Sequence, residues 1–142
     1  MSDYDKDNVF AKILRGDLPC HKVYEDEHTF AFMDIMPRAD GHTLVIPKVP
    51  SRNLLDIDLA QLGYVMATVQ KIAHAQIKAF DADGITVQQF NEGAGGQVVF
   101  HTHVHILPRH EGVKMRPPGG EMADQGELAA HAKKLVAVLE KS

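Results

Sequence analysis

Apolar residues recur in steps of three and four along residues 59–80. Leu62, Val65, Met66, Val69, Ile72, Ala73, Ile77 and Phe80 fall on one stripe of a helix turned toward a core. Asp58 precedes the stripe as an N-cap, and Gln61 three residues on completes a capping-box pattern. The spacing therefore predicts a long helix over about 59–80. A short helix is expected over 8–14, with Asn8 as N-cap, Gly16 just past its end, and Phe10, Ile13 and Leu14 on its apolar face. After the break Arg116-Pro117-Pro118-Gly119-Gly120, the spacing of Leu128, Ala132, Leu135 and Leu139 predicts a C-terminal helix over about 121–140.

The remaining pattern is extended. His21–Tyr24 and His28–Met33 read as two short strands about the acidic turn Glu25-Asp26-Glu27. Asp34-Ile35-Met36-Pro37 breaks the second, because proline disfavours ladder pairing and restricts the residue before it. Thr43–Ile46 is a third strand, ended by Pro47, and 85–90 and 98–107 read as two more. Short turns join most of these strands and one long helix punctuates them. That favours an α+β domain with an antiparallel sheet of about five strands over a regular parallel βαβ sheet.

With 142 residues the chain has the length of one domain, taken as 1–142 with a core over about 8–120. Its formal net charge of −4 gives no broad basic footprint, so nucleic acid is not an expected partner. No apolar run approaches the ~20 residues that span a bilayer, so no membrane partner is expected. The lone Cys20 excludes an intramolecular disulfide. The acidic start lacks the basic-then-apolar order of a signal peptide, and a cytoplasmic location is expected.

Nine histidines are the compositional outlier, and His101, His103 and His105 lie within five residues. On a strand all three rings share one face, adjacent ones about 6.6–6.8 Å apart. Imidazole can serve there as nucleophile, proton carrier or metal ligand. A metal site would draw a further ligand from His42, Asp34 or Glu92. Metal-free phosphoryl chemistry uses the preceding loop as well. There Gly93, Gly95 and Gly96 would let main-chain N–H groups approach an anion, and Gln97 adds a donor. This second arrangement accounts for loop and histidines together.

The run Asn91-Glu92-Gly93, then Gly96-Gln97-Val98-Val99-Phe100-His101-Thr102-His103-Val104-His105-Ile106-Leu107-Pro108-Arg109, resembles the signature of the histidine triad (HIT) family of nucleotide hydrolases and transferases. Phe10-Ala11-Lys12-Ile13, Phe32-Met33-Asp34-Ile35 and Gly41-His42-Thr43-Leu44-Val45-Ile46-Pro47-Lys48 are similar to that family in order and spacing. The resemblance spans roughly residues 8–120. It implies a HIT-like fold whose antiparallel sheet is backed by the long helix and extended across a homodimer.

For function, the resemblance implies cleavage at the α-phosphorus of purine nucleoside phosphoramidates through a nucleotidyl-histidine intermediate, without a cofactor. Dinucleoside polyphosphate hydrolysis, or nucleotide binding with little turnover, is the alternative. His103 would be the nucleophile, His105 the donor beside phosphate and leaving group, and Gln97 with the main chain at Val98 would bind phosphate oxygens. Asn91 would hold the phosphate or ribose side and Asp34 the ribose hydroxyls. Phe10, Ile13, Leu18, Phe32 and Ile35 would line the base pocket. His101 and His42 would lie behind the site.

The chain departs from the family at two places. Many bacterial relatives carry Cys-x-x-Cys where this chain has Asn8-Val9-Phe10-Ala11, and those cysteines join two histidines, here matched by His42 and His101, on a structural zinc. Asn8 and Ala11 cannot replace two thiolates. No metal is expected, therefore, and a direct or water-linked His42–His101 contact is. Val98 stands where a Ser or Thr is frequent, so no hydroxyl reaches the leaving group there. Arg116-Pro117-Pro118-Gly119 resembles the tail of Hint-type members, which reaches toward the partner's site.

Overall fold

The computed structural model describes residues 4–141. The first three residues of the acidic start, and residue 142, lie outside that range. In chain order the elements are α1 (Val9–Arg15), β1 (Lys22–Glu25), β2 (Thr29–Met33), β3 (Thr43–Pro47), α2 (Leu59–Phe80), β4 (Gly84–Gln88), a 3-10 turn (Gly93–Gly95), β5 (Val104–Arg109) and α3 (Gln125–Glu140). The strands form one antiparallel sheet in the order β1-β2-β3-β5-β4.

The helix ends are set by their caps. Asn8 Oδ1 accepts from the Ala11 amide at 2.9 Å, and Gly16 closes α1 in the left-handed conformation. Asp58 accepts from the Ala60 and Gln61 amides at the start of α2. The reciprocal half of that capping box does not form: Gln61 Oε1 is buried without a partner among the described residues. Asp124 caps α3, which begins four residues later than the pattern suggested.

Strand alternation divides the sheet into two working faces. Ala31, Met33, Val45, Val104 and Ile106 point to one face, where Val65, Val69 and Ile72 of α2 and Leu128, Ala132 and Leu135 of α3 cover them. Phe30, Phe32, Leu44 and Ile46 point to the other and pack with Phe10 of α1. The α2 stripe is narrower than the apolar spacing implied. Met66 and Ile77 are exposed on its flank, while the polar Thr68 and Gln76 are buried. Gln76 Nε2 donates to the carbonyls of Gly41 and Ile106 and lies 3.3 Å from Thr43 Oγ1, so a helix side chain ties the start of β3 to the middle of β5.

Gly41 is required by its surroundings. Its φ is +87°, and a Cβ there would lie 2.6 Å from the Phe80 ring. It turns the chain from the loop 34–40 into β3, and so places His42 at the mouth of that strand.

The fifth strand differs from expectation. It starts at Val104, not Val98, and runs to Arg109. Its pairing with β3 ends at Thr43↔Ile106, so Pro108 pairs only with β4 and removes no bond from the β3 ladder. Residues 98–103 leave the sheet, and the Thr102 amide donates to the Ser51 carbonyl at 2.9 Å. Strand β4 likewise ends at Gln88, short of Phe90.

Candidate functional site

His103 and His105 lie side by side, with ring centroids 5.0 Å apart. His105 is the only triad member on a strand. It is paired with Leu44 of β3 on one side and Gln88 of β4 on the other. His103 lies just before β5, edge-on to Phe10 with centroids 4.9 Å apart. His101 turns away from both. Its Nε2 meets the Pro47 carbonyl at 2.9 Å and its Nδ1 meets the Tyr4 hydroxyl at 2.5 Å. The three rings therefore do not share a strand face, because residues 101–103 are outside the ladder.

His42 and His101 make no direct contact. His42 Nε2 lies 2.9 Å from His105 Nδ1 and 3.4 Å from Asp34 Oδ2. Its position follows from the backbone: Asp34 immediately follows β2, His42 immediately precedes β3, and the Asp34 amide donates to the His42 carbonyl at 3.0 Å.

Burial keeps the imidazoles neutral. Desolvation lowers His42 and His105 to about 3 and His101 to about 4, and it also lowers His103. His42 and Asp34 are thus close without forming an ion pair. Burial acts oppositely on Asp34, raising its carboxyl to about 6 against the lowering effect of the Met36 amide.

With neutral rings, the partners fix each tautomer. The His103 Nδ1–H donates to the His101 carbonyl at 2.7 Å, leaving the Nε2 lone pair free. The Arg38 amide donates to His42 Nδ1 at 3.0 Å, so the His42 proton is on Nε2 and is directed to His105 Nδ1. His105 then carries its own proton on Nε2. One unprotonated ring nitrogen, on His103, thus stands beside a ring N–H on His105.

The same bonds bear on metal binding. Asp34, His42 and His105 lie close enough together to surround a cation. A ligating histidine normally donates its second ring N–H to an acceptor. His42 does the reverse, accepting an amide at Nδ1, so its Nε2 holds a proton where a ligand would need a lone pair. This donor set does not suit a metal ion.

The glycine loop is folded on itself. The Gly95 and Gln97 amides donate to the Glu92 carbonyl, and the Gly96 amide to that of Gly93. Those N–H groups are not the open cradle expected from Gly93, Gly95 and Gly96. The main-chain N–H groups of Val98 and Val99 have no partner among the described residues, and they lie between the loop and His101. The Val98 side chain is exposed.

Gln97 and Asn91 are likewise engaged within the chain. Gln97 is buried, with Oε1 accepting from Asn53 Nδ2 and the Glu92 amide and Nε2 donating to the carbonyls of Arg52 and Val99. Its polar atoms are occupied in holding the loop. Asn91 accepts from the Leu54 amide and exchanges bonds with Gln89.

The supporting residues that sequence reasoning missed are Arg52, Asn53 and Tyr4. Arg52 makes a two-pronged bond to Glu92 at 2.8 and 2.9 Å and lies 4.1 Å over the Phe100 ring. Its hydrogen bonds hold the Glu92 carboxyl at about 2, and Glu92 itself adopts a positive φ of 66° at the start of the loop. Partners this far apart in sequence leave no local periodicity to read.

Of the apolar residues expected around a base, Phe10 and Phe32 are already buried against each other, with centroids 5.4 Å apart. Ile13 packs partly on that cluster, whereas Leu18 and Ile35 are exposed. Arg116 faces its own chain's loop: it pairs with Asp40, and its amide donates to the Arg38 carbonyl. A separate surface hollow of about 680 Å³ between β1 and α3, lined by Lys22, Tyr24, Lys48 and Leu139 among others, contains none of the histidines.

Residues 15–112 match the family model described as the HIT domain. The chain is 43% identical over 102 residues to "Protein hit" of Bacillus subtilis, covering 72% of this chain and 70% of that one. It is 39% identical over 110 residues to "Adenylylsulfatase HINT3" of Arabidopsis thaliana, covering 78% of this chain but only 56% of that longer protein. Among solved structures, a Hit-like protein involved in cell-cycle regulation from Bartonella henselae superposes with a TM-score of 0.92 at 53% identity, covering 96% of this chain and 99% of that one. A zinc-bound histidine triad protein from Mycobacterium smegmatis gives 0.85 at 34% identity, with coverages of 95% and 94%.

Proposed function

The chain belongs to the HIT domain family, and from that premise we propose that it hydrolyses purine nucleoside phosphoramidates at the α-phosphorus, through a nucleotidyl-His103 intermediate. The observation that carries this reading is the tautomer of His103: neutral, buried, its Nδ1–H held by the His101 carbonyl and its Nε2 lone pair free. The name of the Arabidopsis relative, an adenylylsulfatase, agrees with cleavage between an adenylyl phosphorus and its leaving group.

In the first step His103 Nε2 bonds to phosphorus and the P–N bond breaks. The leaving amine, hydrogen-bonded by the His105 Nε2–H, takes up a proton from solvent water as it departs, and the neutral His105 ring keeps its own. The ring of the intermediate is cationic, and its Nδ1–H remains on the His101 carbonyl, where the added charge strengthens that bond. Water then bonds to phosphorus as the P–Nε2 bond breaks, its proton passes to solvent, and the nucleoside monophosphate leaves a neutral His103. Splitting one displacement into two lowers each barrier. In this reading the main-chain N–H of Val98, which has no partner among the described residues, stabilises developing charge on phosphate oxygens, and donors of that kind can each contribute about 2.7–4 kcal/mol.

Asp34 accepts from the ribose hydroxyls, and Ile35, Leu18 and the edge of Ile13 meet the base. A homodimer joined at the free edge of β4 belongs to the same proposal; β4 has no second neighbour in this chain's sheet. The test is acid-quenched turnover of adenosine 5′-phosphoramidate with mass spectrometry of the protein. A trapped adenylyl group on wild type and none on His103→Ala supports the reading. Undiminished turnover by His103→Ala refutes it.

A further inference from the structure

We propose that Tyr4 is a positioning residue that sets the tautomer of the nucleophile, acting through His101. Three contacts in series carry this inference. The Tyr4 hydroxyl donates to His101 Nδ1 at 2.5 Å, the His101 Nε2–H donates to the Pro47 carbonyl at 2.9 Å, and the His101 carbonyl accepts the His103 Nδ1–H at 2.7 Å. The direction of the first bond is settled by the second. A carbonyl can only accept, so the single proton of the neutral His101 ring is on Nε2, and Nδ1 can only receive.

His101 needs this support because the sheet gives it none. Residues 98–103 lie outside the β5 ladder, so no strand pairing fixes the direction of the His101 carbonyl. That carbonyl belongs to a residue held instead by its side chain, which is completely buried and clasped at both ring nitrogens. Removing the Tyr4 hydroxyl leaves Nδ1 a buried acceptor with no partner. A ring that turns to relieve the loss gives up its bond to the Pro47 carbonyl, and residue 101, held by no ladder, is then free to shift its main chain. The bond that keeps the His103 proton on Nδ1 weakens as a result. A population of His103 with its proton on Nε2 has no lone pair to offer phosphorus.

Tyr4 is itself well placed to hold a fixed position. The next four residues form a tight turn in which the Asn8 amide and Nδ2 both donate to the Asp5 carbonyl, and Asn8 caps α1. Arg15 reaches back to the Lys6 carbonyl at 2.5 Å. The Tyr4 ring lies edge-on to His101 with centroids 5.7 Å apart, and burial raises the phenol pKa, which keeps the donor protonated. The same helix carries Phe10 against the His103 ring, so the N-terminal segment touches the nucleophile's ring directly and its tautomer indirectly.

The catalytic part of this inference rests on His103 being the nucleophile; the tautomer part does not. The experiment compares wild type with Tyr4→Phe, which keeps the ring and removes only the hydroxyl. Long-range 15N–1H NMR of the imidazoles is read alongside steady-state kinetics on adenosine 5′-phosphoramidate and the melting temperature. The expected result is a His103 that is Nδ1–H in wild type and mixed in the variant, with kcat lowered about tenfold and KM within about twofold, as for other groups that orient a reactive histidine from behind. A variant that melts lower, or turns over more slowly, with the wild-type His103 tautomer overturns the proposal, since the phenol is then only packing. Unchanged tautomer and unchanged kcat overturn it as well. If the substrate is not hydrolysed by either protein, the NMR comparison still decides the role of Tyr4, while the assignment of activity fails separately.

Discussion

Replacing Asp34 by Asn should make the protein more stable at neutral pH while weakening nucleotide binding. Asp34 is an acid whose pKa in the fold is raised from 3.8 to about 6. Below pH 3.8 the carboxyl is protonated in both states and contributes nothing. As pH rises through 6, the unfolded chain ionises it freely and the fold resists, so stability is lost across that window and stays lost above it. Two pKa units correspond to about 3 kcal/mol. Asparagine removes the charge and keeps the bond to the Met36 amide through Oδ1. Its NH2 then faces the His42 Nε2–H, formerly 3.4 Å from Oδ2, and this donor-to-donor contact offsets part of the gain. The net is about 1–2 kcal/mol, or roughly 2–8 °C in Tm for a domain of this size. Calorimetry of both proteins at pH 7.5 and pH 4 checks it. The gain should be present at pH 7.5 and largely absent at pH 4, and the affinity for AMP should fall about tenfold or more, as when a charged acceptor is lost. An Asp34→Asn variant that melts lower than wild type at pH 7.5, or shows the same difference at both pH values, would refute the reasoning.

Three further outcomes follow from the same geometry. His42, His101 and His105 are held neutral in the fold, so the unfolded chain takes up protons below its ordinary histidine pKa of 6.5 and the fold does not; the urea midpoint should drop steeply between pH 6.5 and 4.5, and a flat profile would exclude this burial effect. Gly41→Ala combines a left-handed φ with a contact on Phe80, and should lower stability by about 2–5 kcal/mol in denaturant titration. Adding Phe80→Leu should recover the contact portion alone; complete recovery would show that the backbone conformation carries no strain. Gln97→Ala leaves one of the two Asn53 Nδ2–H groups and the Glu92 N–H without an acceptor, each worth roughly 1–3 kcal/mol, and should loosen the glycine loop, read as faster amide exchange over 92–98; exchange at the wild-type rate would count against its role as a strut.

The helices were legible because caps and apolar spacing are local. Asn8, Gly16 and Asp58 end or begin helices where the sequence places them, and α2 spans Leu59–Phe80 as expected. The histidine run was legible in content but not in shape. His101-Thr102-His103-Val104 alternates like a strand, yet the Ser51 carbonyl and the histidines' own side chains satisfy its backbone instead of a ladder. Gln76 could not be foreseen as core, since a polar residue on a helix is buried only when distant carbonyls need a donor. Tyr4, Arg52 and Asn53 were invisible for the same reason: each acts on a residue about 40 or more positions away, and only the folded chain brings the two together.

The alternation of side chains through the sheet has a consequence for how such a protein can change over generations. Residues that anchor α2 and α3 and residues that surround the histidines are interleaved one by one along the same strands, yet face opposite directions. A substitution at Phe32 or Leu44 remodels the face that carries Phe10 and the histidines with no atom facing α2 or α3, and one at Ala31 or Val45 does the reverse. The histidine-bearing face can therefore drift, or be engineered, in single steps while the layer of α2 and α3 stays intact. The exceptions are the groups that bridge both layers, Gly41 and Gln76 above all, and there a library of variants should find the least freedom.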